Sequence, residues 1–360
     1  MERRREISIP TLDSSDNFIK LNGGQTGFYR VSYPADMIEK LGNAVIAGML
    51  SASDRLGILN DAFSLAFALH VPTVDALGLL EKYVSETDLI IWMEISGQLS
   101  KLRSIFFEHA EDTRASLANL TLQLFSPLVE RLGWDFSSSD SDKVSLLRAL
   151  AISVCGSNGN QRVLAEARRR FDLFADKGDL SALHPNIRGP VFSMLAKYGG
   201  LSEYEKIHQI YVTSVNVADA KVIALSALSS TRQPELIRRT LEMALDRTKV
   251  KSQDIIYIFR NIAGNEAARR VTWDFVKAHW NELHDEFYRG SLSLLSSVVG
   301  ASTGMLTKIE DAIEVKKFFE QQKDVAAIAR VVEQSLEKIK NSAQWIEKES
   351  ACVEKWLKSK

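Results

Sequence analysis

The scarcity of helix-breaking residues constrains this sequence more than any other feature. Only 7 prolines and 19 glycines interrupt 360 residues, and a fold of many short strands would need more turn residues than this. From Ala35 onward, apolar residues recur at spacings of three and four, which places them on one face of a helix. One such stripe consists of Leu117, Leu120, Leu124, Leu128 and Leu132. Gly133 is expected to end that helix.

The helical pattern extends over most of the chain and predicts on the order of 14 to 17 helices with short connections. Ser53 or Asp54 is expected to cap one of the first. No fixed period typical of tetratricopeptide or ankyrin repeats is present. Consecutive helices of this kind favour an all-α fold, a HEAT- or armadillo-like α-solenoid of helix pairs, whose concave face commonly binds a partner. We predict that residues 35–360 form one helical domain.

Residues 1–34 have a different pattern. Phe18–Leu21 and Gly27–Tyr33 read as two short strands joined by the turn residues of Asn22–Thr26. Two strands alone are marginally stable in water. We therefore interpret residues 1–34 as the end of a larger β domain. The face of the second strand is expected to dock on the helical domain or on a second copy of the chain through this hairpin.

The charge balance excludes some classes of partner. The chain carries 45 basic and 46 acidic residues, and nucleic-acid or membrane-surface binding normally requires a basic excess. No stretch approaches 18 uninterrupted apolar residues, so no membrane span is expected. Cys155 and Cys352 are too far apart for a CxxC motif and indicate no disulfide framework, which is consistent with a cytoplasmic location.

Motifs for catalysis are few. None of the six histidines begins an HExxH zinc-protease motif, and no Walker loop or dinucleotide GxGxxG occurs. Gly300–Gly304 has the letters GxSxG, but a nucleophile elbow needs a strand before it. The preceding residues 291–299 read as helix, so we expect an inter-helix loop there. The sequence predicts no catalytic residue, no metal ligand and no cofactor in this chain.

Several stretches, in the right order, resemble the C-terminal region of the M1 zinc aminopeptidases of the puromycin-sensitive and fungal alanine/arginine types. The resemblance covers roughly residues 18–358. Its main segments are Gln25–Tyr33, Leu50–Leu56, Tyr83–Asp88, Thr272–Lys277 and Ser335–Ile339. In that family the zinc-binding HExxH and the GAMEN exopeptidase motif lie in an earlier domain, and neither occurs here.

The resemblance implies a domain division and a function. Residues 1–34 would be the C-terminal end of a small β-sandwich domain, and residues 35–360 the complete helical C-terminal domain. That domain would enclose the active-site chamber and help to admit and bind peptides, while the parent enzyme releases N-terminal amino acids. Its partners would be the parent's own catalytic and β-sandwich domains and the peptide substrate. Zinc would belong to the parent's catalytic domain, and this chain alone would not be an enzyme.

The candidate peptide-binding residues follow from the charge of a peptide's C-terminus. A carboxylate suits an arginine that faces inward, and the candidates are Arg103, Arg232 and Arg330. The aromatic pair Phe106 and Phe107 either packs in the core or lines a peptide groove. An alternative function is a free-standing HEAT-like scaffold that binds a protein or peptide on its concave face. A coding frame that continues upstream into HExxH would favour the aminopeptidase.

Overall fold

The computed structural model of the chain describes residues 18–213 and 218–360. These residues form 17 α-helices, joined by loops and short 3₁₀ turns, and no strand. The helices are α1 Ala35–Ile46, α2 Ala52–Phe67, α3 Thr73–Leu80, α4 Leu89–Ile105, α5 Glu111–Leu132, α6 Asp142–Ser157, α7 Gln161–Lys177, α8 Pro185–Tyr198, α9 Leu201–Thr213, α10 Ala218–Leu228, α11 Pro234–Leu245, α12 Ile255–Ala263, α13 Arg269–Ala278, α14 Trp280–Gly290, α15 Leu292–Thr303, α16 Ile309–Glu320 and α17 Ala329–Lys358. The all-α prediction is confirmed.

The described chain divides into two compact units. Residues 18–98 together with Glu349–Ser359 form the first unit, and Leu99–Lys348 form the second. Within the described ranges, no helix is both long enough and apolar enough to cross a bilayer. The solenoid arrangement and the domain boundary at residue 35 stay predictions.

Local capping residues fix the ends of helices. Helix α2 begins one residue after Ser51, whose hydroxyl oxygen accepts a hydrogen bond from the Asp54 N–H at 3.2 Å. The prediction that Ser53 or Asp54 is the cap is wrong, because Ser51 already stands three residues before Asp54 and satisfies that free amide. Helix α5 ends at Leu132, and Gly133 takes a positive φ of 64°, as the sequence predicts.

The predicted β-hairpin is not confirmed, since residues 18–34 form no strand and Gly23–Gln25 form a 3₁₀ turn. The buried side chain of Asn22 organises this segment. Its Oδ1 accepts a hydrogen bond from the Gly27 N–H at 2.7 Å, and its Nδ2 donates to the Gly27 carbonyl at 3.0 Å. These bonds occupy backbone groups that a strand ladder would need, so a side chain competes successfully with sheet formation.

The segment that follows is fastened to α2 through Asp61. The carboxylate of Asp61 accepts a hydrogen bond from the Val31 N–H at 3.0 Å and one from Arg30 at 3.1 Å. Val31 is only 7% exposed, whereas Tyr29 is 58% exposed. The expected apolar face therefore contributes Val31 to the core of the first unit. Self-association through this segment stays a prediction.

A buried ion pair stabilises the first unit between α2 and the turn before α4. The Arg55 Nε lies 2.7 Å from a Glu86 carboxylate oxygen, and the other oxygen accepts hydrogen bonds from the Thr87 and Asp88 N–H groups at 2.7 and 2.8 Å. Burial raises the pKa of Glu86, but the hydrogen bonds from Arg55 and the two amides outweigh it and leave the pKa below its ordinary value.

An aromatic cluster fills part of the second unit. Trp273 and Trp280 are both buried, and each packs edge-on against Phe318, with ring centroids 5.2 and 5.9 Å apart. Their spacing of seven residues predicts two core residues on one face of a single helix. Their burial is confirmed, but the single helix is wrong, because α13 ends at Ala278 and Trp280 is the first residue of α14.

Replacing Asp61 by Ala is expected to lower the free energy of unfolding by about 2 kcal/mol, because a buried charged acceptor is lost. Amide exchange over residues 18–33 should accelerate, and this is measured by mass spectrometry alongside urea unfolding. Glu39→Ala removes an exposed carboxylate from α1 beyond its first turn and should change neither quantity. Unchanged exchange in the Asp61 variant would show that the segment is held by other contacts.

Replacing Glu86 by Gln is expected to cost about 2 kcal/mol of stability at pH 7. Because the pKa of Glu86 is lowered in the folded chain, its contribution is present at neutral pH and is lost as the pH falls below the ordinary glutamate value. The difference between the two proteins should therefore shrink towards pH 3 in urea unfolding. Glu39→Gln, at an exposed position, is the control. A difference that stays constant with pH would contradict the assignment.

Candidate functional site

Several polar and charged side chains converge on the C-terminal end of α6 in the second unit. We call this group the Ser157 cluster. Its members are Arg103, Ser157, Lys197, Tyr198, Arg232 and Glu266. The cluster brings together Arg103 and Arg232, two of the arginines predicted from the sequence.

Side-chain donors gather at the end of α6 because the carbonyls there need partners. Ser157 is the last residue of α6, and the last carbonyls of a helix have no partner within the helix. Helix α8 approaches α6 closely at Gly156, where a Cβ atom would lie 2.2 Å from the Met194 sulfur. This approach places Lys197 and Tyr198, the last two residues of α8, beside the Ser157 carbonyl.

Three side chains donate to that single carbonyl oxygen. The donors are Lys197 Nζ at 2.7 Å, Tyr198 Oη at 2.9 Å and Arg103 Nη1 at 3.1 Å. A carbonyl oxygen has two lone pairs. The donors therefore exceed the acceptor's capacity, and the cluster retains hydrogen-bonding potential for a further acceptor.

Arg103 is already engaged by an acidic partner. Its Nε lies 2.5 Å from one oxygen of Glu266, and its Nη1 also donates to the Asn158 side chain at 3.2 Å. Among the groups acting on Lys197, Glu266 is the single one that favours its charged form. The carboxylate that could balance the cluster is thus held by Arg103.

Burial is the main influence on the pKa of the Lys197 amine. Burial, followed by the nearby positive charges of Arg103 and Arg232, lowers the pKa of the amine to about 7, and Glu266 opposes this shift. Burial also raises the pKa of the Tyr198 hydroxyl, which therefore stays protonated at neutral pH. Lys197 is partly charged near pH 7 and can change its charge with small changes of pH.

The two remaining arginines differ in their surroundings. Arg232 is exposed, two residues before α11, and its guanidinium carbon lies 5.9 Å from the centroid of the Tyr198 ring. Arg330 is exposed near the start of α17, and no hydrogen bond or ion pair within the described ranges joins it to the Ser157 cluster. The Ser157 cluster, as its described contacts define it, therefore does not include Arg330.

Phe106 and Phe107 are packed inside the second unit. Phe106 is 0% exposed and meets Trp345 edge-on at 5.6 Å. Phe107 is 6% exposed, and the guanidinium carbon of Arg269 lies 4.5 Å from its ring centroid. In this arrangement both rings contact the chain's own side chains.

Sequence reasoning missed the buried Arg269, which ties together several helix ends. It donates to the Ser104 carbonyl at 2.7 Å and to the Met305 carbonyl at 3.2 Å. Burial lowers the pKa of this guanidinium to about 10. Among the described residues, carbonyl oxygens and the Ser104 hydroxyl, rather than a carboxylate, receive its hydrogen bonds. No sequence pattern distinguishes Arg269 from the half-buried Arg270 that follows it.

The GxSxG letters do not form a nucleophile elbow. Gly300–Thr303 lie within α15, so the predicted inter-helix loop is wrong. The Ser302 hydroxyl is buried and donates to the Val299 carbonyl at 3.0 Å, a bond within the helix. In the part of the chain that the structure covers, no three His, Cys, Asp or Glu side chains group so as to hold a metal ion.

The first unit contains a separate cavity of about 240 Å³ between α1 and α3. Its lining consists of Ala35, Ile38, Glu39, Val74, Asp75, Gly78, Leu79 and Lys82. Burial, and then the charge of Glu349, raises the pKa of Asp75. None of the residues predicted to bind peptide lines this cavity.

Comparison with known proteins identifies relatives over nearly the whole chain. The model of the ERAP1-like C-terminal domain matches residues 18–341. Aminopeptidase 2 of Candida albicans is 30% identical, and Aminopeptidase 2, mitochondrial, of Saccharomyces cerevisiae is 32% identical, each over 99% of this chain. The puromycin-sensitive aminopeptidase of Caenorhabditis elegans is 25% identical over 99% of the chain.

The match is confined to one part of each relative. The chain spans 38%, 36% and 38% of the length of these three proteins, in the order given. The family match over residues 18–341 nevertheless covers most of the chain. The chain therefore belongs to the ERAP1-like C-terminal domain family, the C-terminal domain of M1-family aminopeptidases.

Proposed function

We propose that this chain is the non-catalytic C-terminal domain of a zinc metallo-aminopeptidase. In that role it encloses the active-site chamber and helps to admit and bind peptides, and the parent enzyme releases N-terminal amino acids from them. The observation that carries the proposal is the match to the ERAP1-like C-terminal domain over residues 18–341. Its partners would be the parent's own catalytic and β-sandwich domains and the peptide substrate.

Zinc belongs, in this proposal, to the catalytic part of the parent. The HExxH motif that holds zinc on a helix does not occur in this sequence. The histidines also make contacts that do not involve a metal. His279, for example, lies 3.4 Å from Glu282, its neighbour on α14. The contribution of this domain would be shape and charge rather than bond cleavage.

The Ser157 cluster is the part of the domain best suited to a peptide's C-terminus. A free peptide ends in a carboxylate, and a guanidinium can donate to both of its oxygens. Arg232 is exposed beside Tyr198 and has the more accessible guanidinium, whereas Arg103 is paired with Glu266. We therefore assign carboxylate binding to Arg232 and a supporting positive charge to Arg103.

The other residues predicted to bind peptide have different roles in this proposal. Phe106 and Phe107 support the end of α4 through their packing, and a direct contact with peptide stays a prediction. Arg330 is an exposed arginine outside the cluster. It is the second candidate for the carboxylate, and binding measurements distinguish it from Arg232.

Binding of a nonapeptide labelled with tetramethylrhodamine at its N-terminus tests the carboxylate assignment. We expect the free acid to bind this chain about tenfold more tightly than its C-terminal amide, which corresponds to about 1.4 kcal/mol. Arg232→Ala should remove that preference, measured by fluorescence anisotropy. The control is Arg238→Ala, an exposed arginine on α11. Equal binding of acid and amide would refute the assignment, and loss of the preference in Arg330→Ala alone would move it to Arg330.

The purified chain is expected not to hydrolyse alanine p-nitroanilide, with or without added zinc, because the proposal places the catalytic groups elsewhere in the parent. Release of p-nitroaniline is followed by absorbance. Hydrolysis that depends on zinc and persists through repeated purification would overturn the non-catalytic assignment.

A further inference from the structure

The cavity in the first unit has the composition of a small-molecule site. Val74, Asp75, Gly78 and Leu79 lie three and four residues apart in α3 and so share one face of that helix. Helix α1 contributes Ile38 and its neighbours to the lining. Apolar residues make up most of the lining, and charged side chains are few, which is the usual construction of a ligand site. The volume of about 240 Å³ has room for a molecule of several non-hydrogen atoms.

A glycine within α3 keeps this cavity open. Gly78 lies inside the helix, which continues as a 3₁₀ turn over Glu81–Tyr83, and glycine is less favourable than alanine at such a position. It does not have a positive φ, and a Cβ atom placed on it would meet no atom within 4 Å. At Gly42 of α1, by contrast, a Cβ would lie 2.7 Å from the Lys82 side chain. Packing within the described chain therefore explains Gly42 but not Gly78, which leaves space at the cavity wall.

Asp75 presents a carboxylate at the same wall without a counterion from the described residues. Burial, and then the negative charge of Glu349, raises the pKa of Asp75, and neither a cation nor a hydrogen-bond donor opposes them. The Glu349 carboxylate accepts a hydrogen bond from the Thr73 N–H at 2.8 Å. Because a half-buried carboxylate beside a second one is poorly stabilised, an added cation next to Asp75 would be favoured.

The other charged residues of the lining do not neutralise Asp75. The Nζ of Lys82 donates to the Asn43 side-chain oxygen at 3.0 Å, and Lys82 is not among the groups that shift the pKa of Asp75. Glu39 of α1 is exposed and adds another negative charge. The lining thus contains more acidic than basic side chains, which favours a cation over an anion or a neutral molecule.

We propose that the cavity between α1 and α3 binds a small aliphatic amine in its protonated form. The ammonium group pairs with the Asp75 carboxylate, to which it can donate hydrogen bonds. The hydrocarbon part packs against Ile38, Val74 and Leu79, which line the cavity. The inference is independent of the peptide-binding function proposed above, because none of these residues belongs to the Ser157 cluster.

Titration of the full chain with n-pentylammonium chloride at pH 7 tests the proposal. The isoleucine δ1 methyl groups are labelled with ¹³C, and the signal of Ile38 should shift to a saturating value. The signal of Ile187, a core residue of the second unit, should not move. 1-Pentanol has the same chain length without the charge and should bind about tenfold more weakly. Pentanoate, which carries the opposite charge, should bind more weakly still.

Two variants separate the charge of the site from its space. Asp75→Asn keeps the shape of the side chain and should lower the affinity for pentylammonium about tenfold while leaving that for 1-pentanol unchanged. Gly78→Leu fills the cavity and should abolish the binding of both. Since leucine is more favourable than glycine in a helix, this variant should unfold at no lower temperature than the native chain. Glu333→Gln removes an exposed carboxylate from α17 and is the control for a change of net charge.

The outcomes decide between the parts of the proposal without relying on any one variant. Equal binding of amine and alcohol by the native chain would refute the ion pair, and so would an Asp75→Asn variant that binds the amine as well as the native chain does. An Ile38 signal that does not respond, or amine binding that survives in Gly78→Leu, would exclude the cavity as the site. Pentanoate that binds as tightly as pentylammonium would overturn the preference for a cation.

Discussion

The hydrogen-bonding groups left over at helix ends are the constraint on which the described structure depends. A chain of many short helices has many such ends, and each buried one needs a partner. This protein supplies partners from side chains of later residues. Arg148 donates to the Leu132 carbonyl at the end of α5, at 2.9 Å. Asn265 donates to the Ser229 and Thr231 carbonyls just beyond α10, at 2.9 and 2.6 Å.

The Ser157 cluster also supplies side-chain donors to a helix end, but it has more donors than the Ser157 carbonyl has lone pairs. At the ends of α5 and α10, side-chain donors are matched by the carbonyls that need them. At Ser157 an amine, a phenol and a guanidinium compete for one oxygen. Because the excess lies at a partly exposed place and carries positive charge, it is suited to an acceptor from outside the chain. Under the proposed function, structural capping and carboxylate binding would use the same groups.

The sequence allowed the all-α class, the end of α5 at Gly133 and the burial of Trp273 and Trp280 to be predicted from local patterns, although the two tryptophans belong to α13 and α14 rather than to one helix. The hairpin was predicted from alternation, but the Asn22 side chain takes the backbone partners that a ladder needs. Such competition depends on the position of one amide group. The alternation of apolar and polar residues does not reveal that competition.

The candidate site was only partly predictable, for a different reason. Arg103 and Arg232 were chosen for their chemistry, but Lys197, Tyr198 and Glu266 carry no signal that links them to those arginines. Arg103 and Glu266 pair across 163 residues of sequence. Such a contact follows from how the helices pack in three dimensions, and one sequence without its fold does not contain that information in readable form.

The attachment of the first described residues to α2 has a mechanical consequence. Asp54 of α2 accepts a hydrogen bond from the Gly24 N–H at 2.8 Å, and Asp61, two turns further along, holds the Val31 N–H. The segment that contains Gly24 and Val31 is therefore hydrogen-bonded to one helix at two points. A pulling force applied at residue 18 would be transmitted to α2 through these hydrogen bonds before the segment could detach from the helix.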